Sequence, residues 1–257
     1  LSPFGLLDRW FAPAPDPAKV GWMGAAVYAH RGLHGPDAPE NSPSAFAAAI
    51  AVGLGIECDV QRSLDGQAMV FHDYDLGRLT GAQGPVDART AEQLGRIALT
   101  GCTDTIPTLR QMLAQVAGRV PILIEIKSQR GGSRRIRTIC AAVLQALDGY
   151  AGRYAVMSFD PRIVRWFAVH APQAVRGLVV TEEHGKTLSG TLRRHLALWH
   201  ARPEFLAYDI RDLPSRFAAA QRARGLPVLT WTVHSAEHRE RAQQHADAPI
   251  AEGSWRA

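Results

Sequence analysis

Two acidic residues, Glu57 and Asp59, sit two positions apart inside the short apolar run GIECDV at 55–60. Side chains alternate between the faces of a strand, so Ile56, Cys58 and Val60 share one face and Glu57 and Asp59 the other. The run PILIEIK at 121–127 repeats the pattern, with Ile122, Ile124 and Ile126 on one face and Leu123, Glu125 and Lys127 on the other. Taking several like charges out of water costs several kcal/mol per ion unless something compensates them. A divalent cation is the most economical compensation, and oxygen-only ligands select Mg²⁺ or Ca²⁺ over zinc. Glu57, Asp59 and Glu125 are therefore candidate metal ligands. The plainer alternative pairs Glu125 with Lys127 and gives the other two carboxylates arginine partners.

Lys127 stands out because lysine occurs only at positions 19, 127 and 186 of a chain that otherwise uses arginine. A compact ammonium reaches a single phosphate oxygen as a point charge, where a planar guanidinium does not fit. Two histidines close apolar runs: His30 in AHRG and His72 in VFHD. Imidazole titrates near neutral pH and gives or takes a proton, so both are candidate acid–base groups.

These residues need strands that end on one side. After a Pro-rich N-terminal stretch, strands are predicted near 26–30, 55–60, 68–72, 121–127, 154–159, 175–180, 205–209, 226–232 and 247–251. Helices are predicted near 43–52, 108–117, 133–147, 161–170, 187–199, 213–224 and 235–244. Ser42 before Pro43 and Asp160 before Pro161 read as helix starts. Regular βα alternation without a GxGxxG loop favours a (β/α)8 barrel of parallel strands over a dinucleotide fold. The acidic faces then point into the barrel mouth, where barrel active sites are built. The irregular stretch 73–107 reads as a short insertion or lid after the second barrel strand. The chain reads as one domain over 1–257, with 1–24 as an N-terminal extension.

Composition narrows the class. With 46% hydrophobic residues among 257, the chain can fill a substantial core. The net charge of +5 suits an anionic partner, but no basic cluster or nucleic-acid motif accompanies it, so nucleic acid is not an expected partner. The three cysteines, 58, 102 and 140, lack metal-ligand spacing, which suits a reducing compartment and places the protein in the cytoplasm. No apolar run is long enough to span a bilayer, so no stable membrane insertion is expected. Phe4, Leu6, Leu7, Trp10 and Phe11 either touch a membrane periphery or, the plainer reading, pack against the domain. The chain opens on Leu1, so either an upstream piece or an unusual start is expected.

The ordered set HRG, PENS, ECDV, DG, VFHD, IPTL, IEIK, SF and WTV, from about residue 27 to 233, resembles the glycerophosphodiester phosphodiesterase family. Each piece is weak alone; the order is specific. The resemblance implies a metal-dependent (β/α)8 barrel that turns a small-molecule glycerophosphodiester into glycerol 3-phosphate and an alcohol. It implies His30 and His72 as general acid and base, and Glu57, Asp59 and Glu125 as metal ligands. Arg31 and Lys127 would contact the phosphate, Glu40 and Asn41 would order the loop around Arg31 or the metal, and Trp231 would wall the pocket. Three carboxylates, a divalent ion, Arg31, Lys127 and one phosphodiester come close to neutrality, whereas without the ion the site would repel its substrate. The nucleophile is either water or the glycerol's own neighbouring hydroxyl, through a cyclic phosphate.

The chain departs from the family pattern in places. His234 replaces the asparagine of WTVN, PENS replaces PENT, and Ala251 and Glu252 replace the Thr-Asp pair that ends the last strand. The last departure puts that pocket wall and substrate preference in doubt. The stretch between His72 and Glu125 is short for the family, which implies a small cap that discriminates less against the released alcohol. Two rivals stand beside the main expectation: a lysophospholipase D-like activity on single-chain lipids, and a barrel that binds phosphodiesters without catalysis. Plainer roles are expected elsewhere. His34 reads as a solvent-facing loop residue, and His170, His184, His195, His200, His238 and His245 as surface groups. Cys58 reads as packing, and Asp209 as a loop cap or a supporting acid.

Overall fold

Alternating apolar runs make strands wherever both faces are covered, and the capped stretches between them make helices. The computed structural model describes residues 4–128, 132–183 and 185–253. The helices are α1 Gly5–Phe11, α2 Pro17–Val20, α3 Pro43–Ala51, α4 Ala91–Leu94, α5 Leu109–Val116, α6 Ser133–Leu147, α7 Pro161–His170, α8 Leu188–Ala201, α9 Arg216–Ala223 and α10 Ala236–His245. The strands are β1 Tyr28–Ala29, β2 Gly55–Arg62, β3 Ala68–Val70, β4 Ile122–Ile126, β5 Tyr154–Ser158, β6 Val175–Val180, β7 Phe205–Asp209, β8 Val228–Val233 and β9 Ala248–Ala251. Contacts gather the chain into two compact units, Tyr28–Tyr154 with Glu252–Ala257, and Leu1–Val27 with Ala155–Ala251.

In the first unit β2 is the organising strand. It pairs in parallel with β1 and β4, and antiparallel with β3. The predicted strand 68–72 is thus the return arm of a hairpin, not a barrel strand: only a short turn separates Arg62 from Ala68, and a parallel crossover needs a dozen residues or more. Ser42 caps α3, accepting from Ala45 N at 3.1 Å, with Pro43 in the first turn. Thr108 and Gln111 form a capping box on α5. The stretch 73–107 is more than the loose insertion expected. It contains α4 and buries Leu76, Val86, Leu94, Leu99 and Ile106 against Met69 and Phe71, a small core of its own.

The second unit carries β5 to β9, each paired in parallel with the next. Asp160 caps α7 ahead of Pro161, as expected. The N-terminal α1 is seated on α8: Phe4 stacks on His195 at 4.2 Å and Phe11 meets Trp199 at 5.6 Å. Asp8, fully buried, accepts from His195 Nδ1, Trp199 Nε1 and Gln221 Nε2, each at 2.8 Å. His195 is therefore a core histidine with a carboxylate partner, not the surface group expected. His238 and His245 are half-buried, and His184 lies outside the described residues.

In chain order the eight parallel strands, all but the last followed by helix, make the (β/α)8 barrel that the alternation predicts. Among the described residues, no helix is long and apolar enough to cross a membrane.

Candidate active site

The register of β2 and β4 builds the acidic cluster. Asp59 lies directly opposite Glu125, and Cys58 opposite Ile124. Glu57 is two residues back on the face of Asp59. The other face packs on helix, with Cys58 Sγ 3.8 Å from Met112 Sδ of α5. Glu57, Asp59 and Glu125 are all buried, and one oxygen from each lies within 4.8 Å of the others. Twice a Mg–O or Ca–O distance is about 4–5 Å, so these oxygens can share one such ion.

Their charges are unevenly met. Lys127, just past β4, places Nζ 2.8 Å from Asp59 Oδ1 and 2.6 Å from Glu125 Oε1. Asp59 Oδ2 accepts from Asn41 Nδ2 at 2.9 Å and lies 3.2 Å from Arg31 Nε. Burial pushes Asp59 up, but Lys127 and Arg31 outweigh it and hold the group well below the ordinary carboxylate range. Glu57 fares differently. Among the described residues its Oε2 accepts only the Arg31 backbone N–H at 3.1 Å, with His30 Nε2 at 3.9 Å. Burial, then the charges of Asp59 and Glu125, push its pKa well up, and burial raises Glu125 as well. Two side-chain cations thus face three buried carboxylates. The deficit falls on Glu57, and the all-oxygen set fits Mg²⁺ or Ca²⁺. The plainer sequence reading holds in part: Lys127 pairs with Glu125 and Arg31 with Asp59, but among the described residues no arginine side chain pairs with Glu57, and a charge deficit is left at the centre.

The loops that bring these groups in use left-handed backbone. Arg31 (φ 56°) and Asn41 (φ 58°) both adopt it, and the Asn41 N–H donates to Arg31 O at 2.8 Å. Gly32 follows at φ 81°, where a Cβ would sit 2.9 Å from that of Ala45, so only glycine fits the HRG turn. Asn41 is bound to β2 at both ends of its amide, because Asp59 N also donates to its Oδ1 at 3.2 Å. Glu40 accepts from Arg31 Nη1 at 2.7 Å and from Arg78 Nη2 at 2.6 Å.

Both histidines are braced on Nδ1. His30 Nδ1 lies 2.6 Å from Glu252 Oε1, and His72 Nδ1 lies 2.6 Å from Asp73 Oδ1. The hydrogen bond with His30, with His34 close by, holds Glu252 well below the ordinary range. Against burial, Arg78 and His72 lower Asp73. Burial itself lowers His72, with Lys127 and Arg31 adding to it. His34 is half-buried, its Nε2 3.8 Å from Glu252, so it faces the site's rim instead of solvent.

The first unit thus brings together His30, Arg31, Glu40, Asn41, Glu57, Asp59, His72, Glu125 and Lys127. Trp231 belongs to the second unit. There its indole N–H donates to Ala207 O at 3.0 Å, and its ring meets Phe159 edge-on at 5.5 Å. Asp209, in the same unit, caps the turn after β7 and pairs with Arg211, so its role is the loop cap.

Four residues escaped the sequence reading. Gln61 continues the acidic face of β2 by one step, and its amide donates to Phe71 O at 3.1 Å and His72 O at 2.9 Å. Strand alternation contained that signal. Asp73 adjoins His72 in the sequence, and adjacency was its only signal. Arg78 reaches the site with no local pattern to mark it, and Glu252 is marked only as a departure from the family pattern at the last strand.

A model of the glycerophosphoryl diester phosphodiesterase family matches residues 30–249. A glycerophosphodiester phosphodiesterase of Bacillus altitudinis is 39% identical over 109 residues, 39% of this chain and 44% of that protein, so the match spans less than half of the relative. One of Caldanaerobacter subterraneus subsp. tengcongensis is 27% identical over 233 residues, 85% of this chain and 90% of that protein. Among solved structures, the fold is similar to that of an Oleispira antarctica phosphodiesterase in complex with the product sn-glycerol-3-phosphate (TM-score 0.76, 23% identity, 88% of this chain and 92% of that one). It is also similar to a glycerophosphodiester phosphodiesterase from Thermotoga maritima (TM-score 0.70, 26% identity, 88% and 93%). With the family match running across both units, and its motifs on the residues that build the carboxylate cluster, the chain belongs to the glycerophosphoryl diester phosphodiesterase family of enzymes.

Proposed function

We propose that this chain hydrolyses glycerophosphodiesters to sn-glycerol 3-phosphate and an alcohol, using a divalent cation and the imidazoles of His30 and His72. One observation carries the reading: three buried carboxylates gathered within 4.8 Å beside two imidazoles that are each braced by a carboxylate on Nδ1. The product bound to the Oleispira antarctica phosphodiesterase supports the choice of substrate class.

Glu57, Asp59 and Glu125 would hold the cation, which when bound supplies the positive charge that polarises a phosphoryl oxygen. Arg31 and Lys127 add fixed charges for the phosphodiester, one as a planar fork and the other as a point charge. Asp73 and Glu252 are ionised and accept only, so each Nδ1 donates and each neutral ring keeps its lone pair on Nε2. One Nε2 takes the proton of the attacking hydroxyl, of water or of the substrate's glycerol, as the new O–P bond forms. The other ring, protonated, returns a proton to the alcohol oxygen as the old P–O bond breaks. With water as nucleophile, one water is consumed and the two rings exchange protonation states; with the glycerol hydroxyl, water then opens the cyclic phosphate with the two rings' roles reversed, which restores them.

The test is release of sn-glycerol 3-phosphate from a panel of water-soluble glycerophosphodiesters, with Mg²⁺ and Ca²⁺ in turn, by the wild type and by His30→Ala and His72→Ala. Turnover by the wild type that falls in both variants supports the reading. Equal turnover in all three proteins, or none in any metal, overturns it.

A further inference from the structure

The seat that buries one side of α1 leaves the opposite side unpartnered among the described residues. Phe4, Asp8 and Phe11 turn towards α8, so at about 100° per residue Leu6 and Trp10 point directly away. They are spaced i, i+4 and form one ridge. Leu6 is 81% exposed and Trp10 80%. The three hydrogen bonds onto buried Asp8 fix the helix, so this ridge is held out rigidly.

The flank of the seat is apolar too. Leu188, Leu192 and Leu196 follow one another at i, i+4 along α8, beside His195 and Trp199 on the same broad side. All three are exposed, Leu188 at 92%. Large apolar groups gathered on one exposed face mark an interaction surface.

Charge says what the surface meets. The acid in α1 and α8 is Asp8 alone, and it is buried. Arg9 is exposed beside Trp10, Arg193 is exposed at the edge of the stripe, about 100° round α8 from Leu192, and among the described residues neither is in an ion pair. Two copies docked here would set like charges against each other. A bilayer carrying anionic lipid matches both features. Leucine and tryptophan enter the headgroup boundary, where tryptophan is favoured, while arginines meet lipid phosphates. We infer that α1 and the Leu188–Leu192–Leu196 stripe of α8 dock the protein peripherally on an anionic membrane surface.

The test is co-sedimentation of the full chain with vesicles of phosphatidylcholine alone and of phosphatidylcholine with phosphatidylglycerol. Binding to the anionic vesicles is expected, at least about tenfold tighter than to the neutral ones and weakened by salt. Leu6→Ser with Trp10→Ser should weaken it at least about tenfold, and Arg9→Gln with Arg193→Gln about tenfold. The exposed positions of Leu6 and Trp10 leave the fold undisturbed, checked by unchanged turnover of a water-soluble glycerophosphodiester. Absence of binding, equal binding to both vesicles, or unchanged binding by the Leu6/Trp10 variant overturns the proposal. So does a dimer in light scattering that the same variant converts to monomer, which assigns the face to a second copy. Vesicle binding and hydrolysis are separate readouts, so docking and the phosphodiesterase reading fail independently.

Discussion

Glu252 Oε1 lies 2.6 Å from His30 Nδ1, although Glu252 sits where the sequence departs from its family's pattern. The contact fixes the ring's orientation and leaves Nε2 towards Glu57 at 3.9 Å. Glu252→Gln keeps the side chain's size but removes the charge that stabilises a protonated ring. A fall of about 10–100-fold in kcat is expected, with KM little changed. Steady-state kinetics on a water-soluble diester checks it, and a change confined to KM would show that Glu252 acts on binding alone.

His72 is expected to matter more, because as a general acid or base it exchanges a proton with the reacting oxygen itself. His72→Ala should lower kcat by roughly 10²–10⁴-fold. Burial, with Lys127 and Arg31 nearby, lowers its pKa, so the ring stays neutral to more acidic pH than a free imidazole. The limb of the kcat/KM profile governed by His72, acidic if it is the base and alkaline if it is the acid, should therefore lie below about 6.5 and be absent in His72→Ala.

The charge deficit at Glu57 makes stability depend on pH and metal together. A carboxyl whose folded pKa is raised contributes stability below its unfolded pKa, and that stability is lost as pH rises through the folded value. Glu57 and Glu125 are both raised, by burial first. In excess chelator, Tm should therefore fall as pH rises from weakly acidic towards neutral, and Mg²⁺ or Ca²⁺ should restore it. The gap between the two Tm curves is expected to widen with pH. Parallel curves would remove the cation from the account of Glu57.

Asp8 tests the seat of α1. Removing it leaves His195, Trp199 and Gln221 without their shared acceptor in the core. Asp8→Ala should cost about 3 kcal/mol, lowering Tm by roughly 6–12 °C. Denaturation curves check this, and a change within about 0.5 kcal/mol would mark the network as energetically idle.

How much of this was legible follows from where each constraint lies. Glu57, Asp59 and Glu125 were readable because strand alternation is local, and two strands carrying the same alternation become neighbours in a parallel sheet. Helix starts at Ser42 and Asp160 were readable for the same reason. Glu252 was not, because its value depends on where the chain ends up at the last strand, and the extra methylene relative to the family's aspartate reads as a loss until the contact with His30 is seen. His195 looked like a surface group because its partner Asp8 is 187 positions away, and nothing on α8 itself supplies a carboxylate. The stretch 73–107 lacked periodicity, yet its scattered apolar residues close a small core that no short window displays.

Calorimetric titration of chelator-stripped protein with Mg²⁺ and with Ca²⁺, beside Glu57→Gln, bears most directly on the carboxylate cluster. A single site is expected for at least one of the ions, with protons released on binding and the affinity reduced at least about tenfold in Glu57→Gln. Full turnover in excess chelator together with no heat of binding for either ion would contradict it.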